Sequence, residues 1–248
     1  MVTLKSSREL KLMREAGRIV AMVLADMGEA VAPEVTTAEL NDRAERLIRK
    51  MGATPSFKGY HGYPAAICTS VNEQIVHGIP GGRRLKEGDI ISVDVGTIYK
   101  GYQGDAAVTL PVGRISPEAQ ALLDVTRAAL FEGIAKSRAG LRTGDISAAI
   151  QKFVEAKGFS VVREYTGHGI GSAMHEDPQI PNFGRPGTGH ILKAGMTFAL
   201  EPMVNAGTWK TRVLSDDWTV VTEDERLSAH FEHTVAVTEG EPEILTLP

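Results

Sequence analysis

The chain has 248 residues, of which 42% are hydrophobic and 23% charged, the balance of an ordinary globular protein with enough length for a sizeable core. A net charge of −4, from 27 basic and 31 acidic residues, argues against nucleic acid or an anionic membrane as the main partner. No apolar run approaches a membrane span, the first residues carry no signal-peptide core, and Cys68 stands alone; this excludes a disulfide framework and a thiolate zinc site and leaves the cytoplasm as the expected compartment.

The first elements are helical. Ser6 or Ser7 can cap a helix that carries Leu10, Met13, Gly17, Val20, Leu24 and Met27 on one face, with Pro33 beyond its end. Thr36 and Glu39 form a capping-box pattern ahead of Leu40, Ala44, Leu47 and Ile48, and Gly52 is a natural stop. A glycine- and aromatic-rich stretch at 57–64 reads as loop, followed by strand-like runs at 65–71, 90–96 and 106–112. The order then repeats. Ser116-Pro117-Glu118 opens a third helix, and a turn with Gly140 and Gly144 precedes a fourth that ends at Gly158. Strand-like runs return at 160–162, 197–200, 218–221 and 231–237. The connectors at 35–40 and 141–146 are alike, so the chain reads as a duplicated helix-helix-strand unit with one fused core, the halves spanning about 1–113 and 114–248.

Four carboxylates interrupt these strand-like runs. Asp94 lies within the run at 90–96, Asp105 precedes that at 106–112, Glu201 ends that at 197–200, and Glu232 sits inside that at 231–237. An ionised carboxylate in such apolar surroundings is costly without a partner, and lysine and arginine are scarce beside these four in sequence. Singly, each is more simply an edge or solvent-facing acid. As two from each half they would meet at the centre of a pseudo-two-fold. His168, His175 and His77 occur in or beside glycine-containing segments that permit close backbone approach. Oxygen and imidazole donors without thiolate suit Mn, Fe(II), Co or Zn, and two divalent ions would neutralise the four acids. There is no phosphate-binding loop, no H-E-x-x-H, no dinucleotide fingerprint and no serine nucleophile elbow.

The set Asp94, Asp105, His168, Glu201 and Glu232 resembles the metal site of the pita-bread metallopeptidases. The fuller strings at 72–80, 166–171, 201–203 and 228–234 are similar to the type I methionine aminopeptidases in their short bacterial form, over nearly the whole chain. The resemblance implies an α+β pita-bread fold: one catalytic domain over 1–248, with the two halves around a central antiparallel sheet. It implies excision of the initiator methionine from nascent polypeptides with a small second residue, met at the ribosome by a monomer, without membrane or sequence-specific nucleic-acid binding. It implies two divalent ions, from Co, Mn, Fe(II), Zn or Ni, that activate a water to attack the scissile carbonyl. Asp94 would hold one ion and His168 the other; Asp105 and Glu232 would bridge, and Glu201 would ligate and shuttle a proton. His77 would contact the substrate amide, and His175 would stabilise the oxyanion. The methionine pocket would use Tyr60, Tyr63, Cys68 and Trp218, with Met203 nearby. Three positions depart from the pattern: Phe57 stands for a smaller residue, Met174 for an aromatic and His230 for a glutamine. A proline-specific aminopeptidase or dipeptidase on the same fold, or a non-catalytic peptide binder, are the alternative readings.

Overall fold

The computed structural model describes residues 2–248. Helix α1 (Ser7–Ala30) starts at the Ser6 cap, whose hydroxyl accepts from the Glu9 N–H while the Glu9 carboxylate accepts from the Ser6 N–H. Helix α2 (Thr37–Lys50) opens on the same reciprocal pair between Thr36 and Glu39, and Gly52 follows it at φ +78°. Helix α3 (Pro117–Ala135) is capped by Ser116, with proline in its first turn. Helix α4 (Thr143–Glu155) opens with the Asp145 carboxylate accepting the Arg142 N–H. The two similar connectors also make corresponding contacts. Thr36 bridges to Arg84 and Arg142 to Ile191, each just ahead of a helix.

The strands are β1 (Thr54–Pro55), β2 (Cys68–Val71), β3 (Gln74–Val76), β4 (Ile90–Tyr99) and β5 (Tyr102–Pro111) before α3. After α4 come β6 (Ser160–Val161), β7 (Thr166–Gly169), β8 (Glu176–Pro181), β9 (Thr197–Leu200), β10 (Met203–Asn205), β11 (Thr211–Val213), β12 (Val220–Thr222), β13 (Ser228–His230), β14 (His233–Ala236) and β15 (Glu243–Ile244). The glycine-rich segment around His168, which stands outside the strand-like runs of the sequence, is strand over Thr166–Gly169: Gly167 and Gly169 leave the space that the Ala199 and Asp177 carbonyls fill.

All pairing is antiparallel. The β4–β5 hairpin runs in register over ten residue pairs, from Ile90↔Pro111 to Tyr99↔Tyr102, and β1 and β2 share the other edge of β4. A second sheet has the order β15-β14-β9-β7-β8, and there are two three-stranded sheets, β13-β10-β6 and β11-β12-β3. The expected central sheet is thus a junction of two sheets. The Glu232 N–H donates to the Ala107 carbonyl at 2.9 Å and Ala107 N–H returns a bond at 3.4 Å. Thr109 Oγ1 accepts from the His230 N–H and donates to its carbonyl, both at 2.8 Å, and Thr234 Oγ1 does the same for Asp105, at 3.1 and 2.8 Å.

One apolar cluster joins α1 and α2 to the β4–β5 face through Ile19, Val23, Met27, Leu40, Ile48, Ile91 and Val93. A second joins α3 and α4 to the other sheet through Leu122, Leu130, Ile146, Ile150, Phe198 and Val235. Helix α1 comes unusually close to β5: a Cβ on Gly104 would lie 2.6 Å from the Gly17 nitrogen. Two glycines therefore let the helix rest on the strand one residue before Asp105.

Candidate metal centre and pocket

Strand alternation sets the first pair of acids. In the β4–β5 register Asp94 stands opposite Ala107 and Asp105 opposite Gly96, so both carboxylates project from one face as diagonal neighbours. Glu201 and Glu232 each lie one residue beyond the His233↔Leu200 pair of β9 and β14, at the end of that ladder. The Glu232–Ala107 backbone bonds bring this end against the hairpin, and all four acids line one cavity.

His168 points its ring into the same place. Its Nδ1 lies 2.9 Å from the Gly169 carbonyl, an acceptor, so Nδ1 carries the proton and Nε2 presents a lone pair. That Nε2 is 3.5 Å from Glu201 Oε1 and 3.9 Å from Asp105 Oδ2. Ligand atoms of Asp105, His168 and Glu232 fall within 4.8 Å of one another. Two donors sharing an ion at bonds of about 2.0–2.2 Å stand roughly 3–3.5 Å apart, so the His168–Glu201 spacing suits a shared cation and the wider spacings would have to contract around one.

The electrostatics point the same way. Burial is the leading cause that lifts all four acids: Asp94 to about 7, and Asp105, Glu201 and Glu232 well above the usual carboxylate range. Among the described residues no lysine or arginine pairs with them, and Asp94 Oδ1, Asp105 Oδ1 and Glu232 Oε1 are buried without a hydrogen-bond partner. Burial, with the nearby His175, holds His168 down at about 4, so its ring is neutral at pH 7. Orphaned carboxylate oxygens around an imidazole lone pair are a donor set that fits divalent cations.

The cavity encloses about 220 Å³. Its walls are Phe57, Tyr60, Tyr63, Cys68, Met174 and Trp218, with His61, His77 and His175 at the rim. Tyr63 donates to the Gly78 carbonyl at 2.9 Å and meets Trp218 edge-on at 5.0 Å. Cys68 pairs with Asp94 across β2 and β4, and burial pushes its thiol pKa up, so it remains a thiol. A Cβ on Gly96 would meet Phe57 Cε1 at 2.7 Å and Met174 Cε at 3.0 Å, so the two departures from the family pattern pack together over that glycine. Burial lowers His77 to about 4. His175 Nδ1 lies 2.7 Å from the Tyr60 hydroxyl, and its ring centroid is 4.2 Å from that of His168.

Eleven of the expected residues line this cavity: Asp94, Asp105, His168, Glu201, Glu232, His77, His175, Tyr60, Tyr63, Cys68 and Trp218. Met203 does not. Strand β10 turns it into a separate cluster with Ile75, Val76, Val162 and Val220, fully buried. The sequence offers only one signal for His61, its place between Tyr60 and Gly62, and marks His230 only as a departure from the family pattern.

The chain belongs to metallopeptidase family M24, whose profile matches residues 11–239. Within that family it is 54% identical over 246 residues to methionine aminopeptidase 1 of Bacillus subtilis, covering 99% of each chain. It is 54% identical over 248 residues to the methionine aminopeptidase of Clostridium acetobutylicum, covering 100% of this chain and 99% of that one. Its fold matches the crystal structure of a methionine aminopeptidase from Thermotoga maritima with a TM-score of 0.99, at 46% identity and full coverage of both, and is the pita-bread fold. An Xaa-Pro dipeptidase from Bacillus anthracis shares the fold more distantly, at 25% identity and a TM-score of 0.80, and this chain spans 61% of its length.

Proposed function

We infer that this chain is a metal-dependent aminopeptidase that releases methionine from the N-terminus of polypeptides. The observation that carries this reading is the junction of two environments: unpartnered carboxylates and an imidazole lone pair at one end of the cavity, and an aromatic, thiol and thioether wall at the other. The volume suits one unbranched side chain, below the roughly 300–1,000 Å³ of pockets for drug-sized ligands.

Two divalent ions fit the donor set. Asp94 would hold one and His168 the other, with Asp105 and Glu232 shared and Glu201 completing the set; Co, Mn, Fe(II), Zn and Ni all accept such donors. When bound, they would supply Lewis-acid polarisation of the scissile carbonyl and an activated water as nucleophile. The chain does the rest. The methionine thioether packs against Phe57, Tyr63, Trp218 and Met174, where sulfur–aromatic contacts favour it. Tyr60 donates to His175 Nδ1, which leaves the ring proton on Nε2 to stabilise the oxyanion. Neutral His77 contacts the substrate amide, and Glu201 passes a proton to the leaving amine.

The substrates are nascent chains with a small second residue, met at the ribosome by a cytoplasmic monomer that acts as one catalytic unit over 1–248. Its two halves are a duplication, which the matching connector contacts support. No helix of the described residues is long and apolar enough to cross a membrane, in keeping with this setting. The proline-specific alternative has less support, since the dipeptidase relative is both longer and more distant.

The test is hydrolysis of Met-Ala-Ser by chelator-stripped protein with each metal restored in turn, beside Pro-Ala-Ser and Ala-Pro controls. Methionine release that depends on added metal is expected. Cleavage of Ala-Pro alone would favour the proline-specific reading, and metal binding without any cleavage would favour a peptide binder.

A further inference from the structure

His230 lies outside the cavity lining, yet its ring stands beside two acids of the cluster. It ends β13, and the Thr109 hydroxyl holds its backbone on both sides, accepting from the N–H and donating to the carbonyl at 2.8 Å each. The side chain is 2% exposed, and its Nε2 has no hydrogen-bond partner. That atom lies 3.7 Å from Glu201 Oε2 and 3.9 Å from Glu232 Oε2. A buried polar nitrogen without a partner is destabilising, and so rare that its surroundings should account for it.

The two oxygens of Glu201 face different imidazoles. Oε1 is turned to the lone pair of His168, and Oε2 to Nε2 of His230. The Thr109 bonds anchor the backbone of His230 to β5, and burial leaves its ring beside these carboxylates. We propose that His230 is a positioning residue for the metal centre: its Nε2–H donates to the outer oxygen of Glu201, with Glu232 Oε2 beside it, and so fixes the inner oxygen that faces a cation. This rests on the reading of the cluster as a cation site. It is not proposed as a further ligand, because its Nε2 faces the outer oxygen and lies outside the group formed by Asp105, His168 and Glu232. Partners that orient a ligating carboxylate typically change metal affinity about 10–100-fold when removed. The role needs a donor at this position and no charge, so an amide can replace the imidazole and a hydrocarbon cannot.

The experiment is calorimetric titration of Mn²⁺ into the full-length, chelator-stripped protein, for wild type, H230Q and H230L, with thermal melts to confirm folding. Pulsed EPR of the Mn²⁺-loaded proteins counts the coordinated nitrogens. Expected are binding by H230L weakened about 10–100-fold, binding by H230Q close to wild type, and one nitrogen coupling, from His168, in every sample. Undiminished affinity in H230L overturns the proposal. So does H230Q as weak as H230L, or a second nitrogen coupling that H230Q loses; both would make the imidazole a ligand. Should H230L fail to fold, H230M, which also removes the donor, takes its place in the same titration. Wild type that binds no Mn²⁺ overturns the cation site itself.

Discussion

The floor and the rim of the cavity are built in opposite ways. The floor stands on continuous ladders: Asp94 and Asp105 on the ten-pair β4–β5 hairpin, and Glu232 on backbone bonds to Ala107. The rim stands on connections. His61 and His77 adopt positive φ values of 48° and 60°, and His175 is an exposed residue of the turn between β7 and β8, tied at its ring to the Tyr60 hydroxyl. Groups that must converge on a cation gain from a scaffold in which no single side-chain contact sets their position. Groups that must admit a chain end need access, and here they are held by side chains reaching in from elsewhere. Substitutions in the floor should therefore remove metal and activity together, and substitutions in the rim should separate them.

The largest effect is expected from Asp105→Asn. It removes the charge of a carboxyl proposed to serve both ions and leaves the ladder intact. Turnover should fall further than the roughly 10–100-fold expected for losing an outer partner, and metal titration should show at least one site gone. His175→Ala should lower kcat by about 10²–10³-fold, the cost of one oxyanion donor, with metal stoichiometry unchanged. If the rim variant also lost metal, the division between floor and rim would fail.

The same division explains what the sequence revealed. Helix starts were legible because capping is local: Ser6 with Glu9 and Thr36 with Glu39 lie within four residues of each other. The floor acids were legible because each one interrupts an apolar run. That two acids from each half converge is a property of no local stretch of sequence, and its expectation rested on the repeat and the family resemblance. Strand β7 escaped because glycine carries no strand signal, whereas Gly167 and Gly169 serve close approach to the Ala199 and Asp177 carbonyls. Met203 stays off the cavity lining because neighbouring strands decide which side of β10 faces it. His230 differs again. Its importance lies in an unpartnered nitrogen, and only the fold shows that it has no partner.

The rim carries a pH signature that the acids of the floor do not share. Burial holds His77 at about 4 against an ordinary 6.5, so the folded state keeps it neutral while the unfolded chain protonates it. Stability is unaffected above about pH 6.5, falls as pH drops through that value, and levels off below about 4. At pH 5 the penalty is about 2 kcal/mol. The buried acids have the opposite sign, since their raised pKa values make protonation at low pH favour the folded state. In metal-free protein, H77Q should therefore gain melting temperature relative to wild type at pH 5 and show no such gain at pH 7.5. An equal difference at both pH values would show that His77 is not held neutral.

The smallest effect tests what holds the rim. Lys5, from the N-terminal segment, passes within 2.5 Å of where a Gly171 Cβ would lie and pairs with Glu176 at 2.5 Å, with side-chain exposures of 3% and 15%. Glu176 also accepts the Ala173 N–H at 3.2 Å, which closes the turn that carries Met174 and His175. Removing Lys5 alone would strand a buried carboxylate at a cost of about 3–5 kcal/mol, which would hide any catalytic role in lost stability. The paired change Lys5→Met with Glu176→Gln removes both charges and keeps the volume. It should lower kcat about tenfold, less than the ~10²-fold that a larger misplacement can cost, with metal affinity unchanged and KM little moved. In a His175→Ala background the same pair of changes should cost almost nothing more, because there is no longer an imidazole to position. Full additivity would mean that the ion pair supports the fold generally and that the rim depends on something other than Lys5.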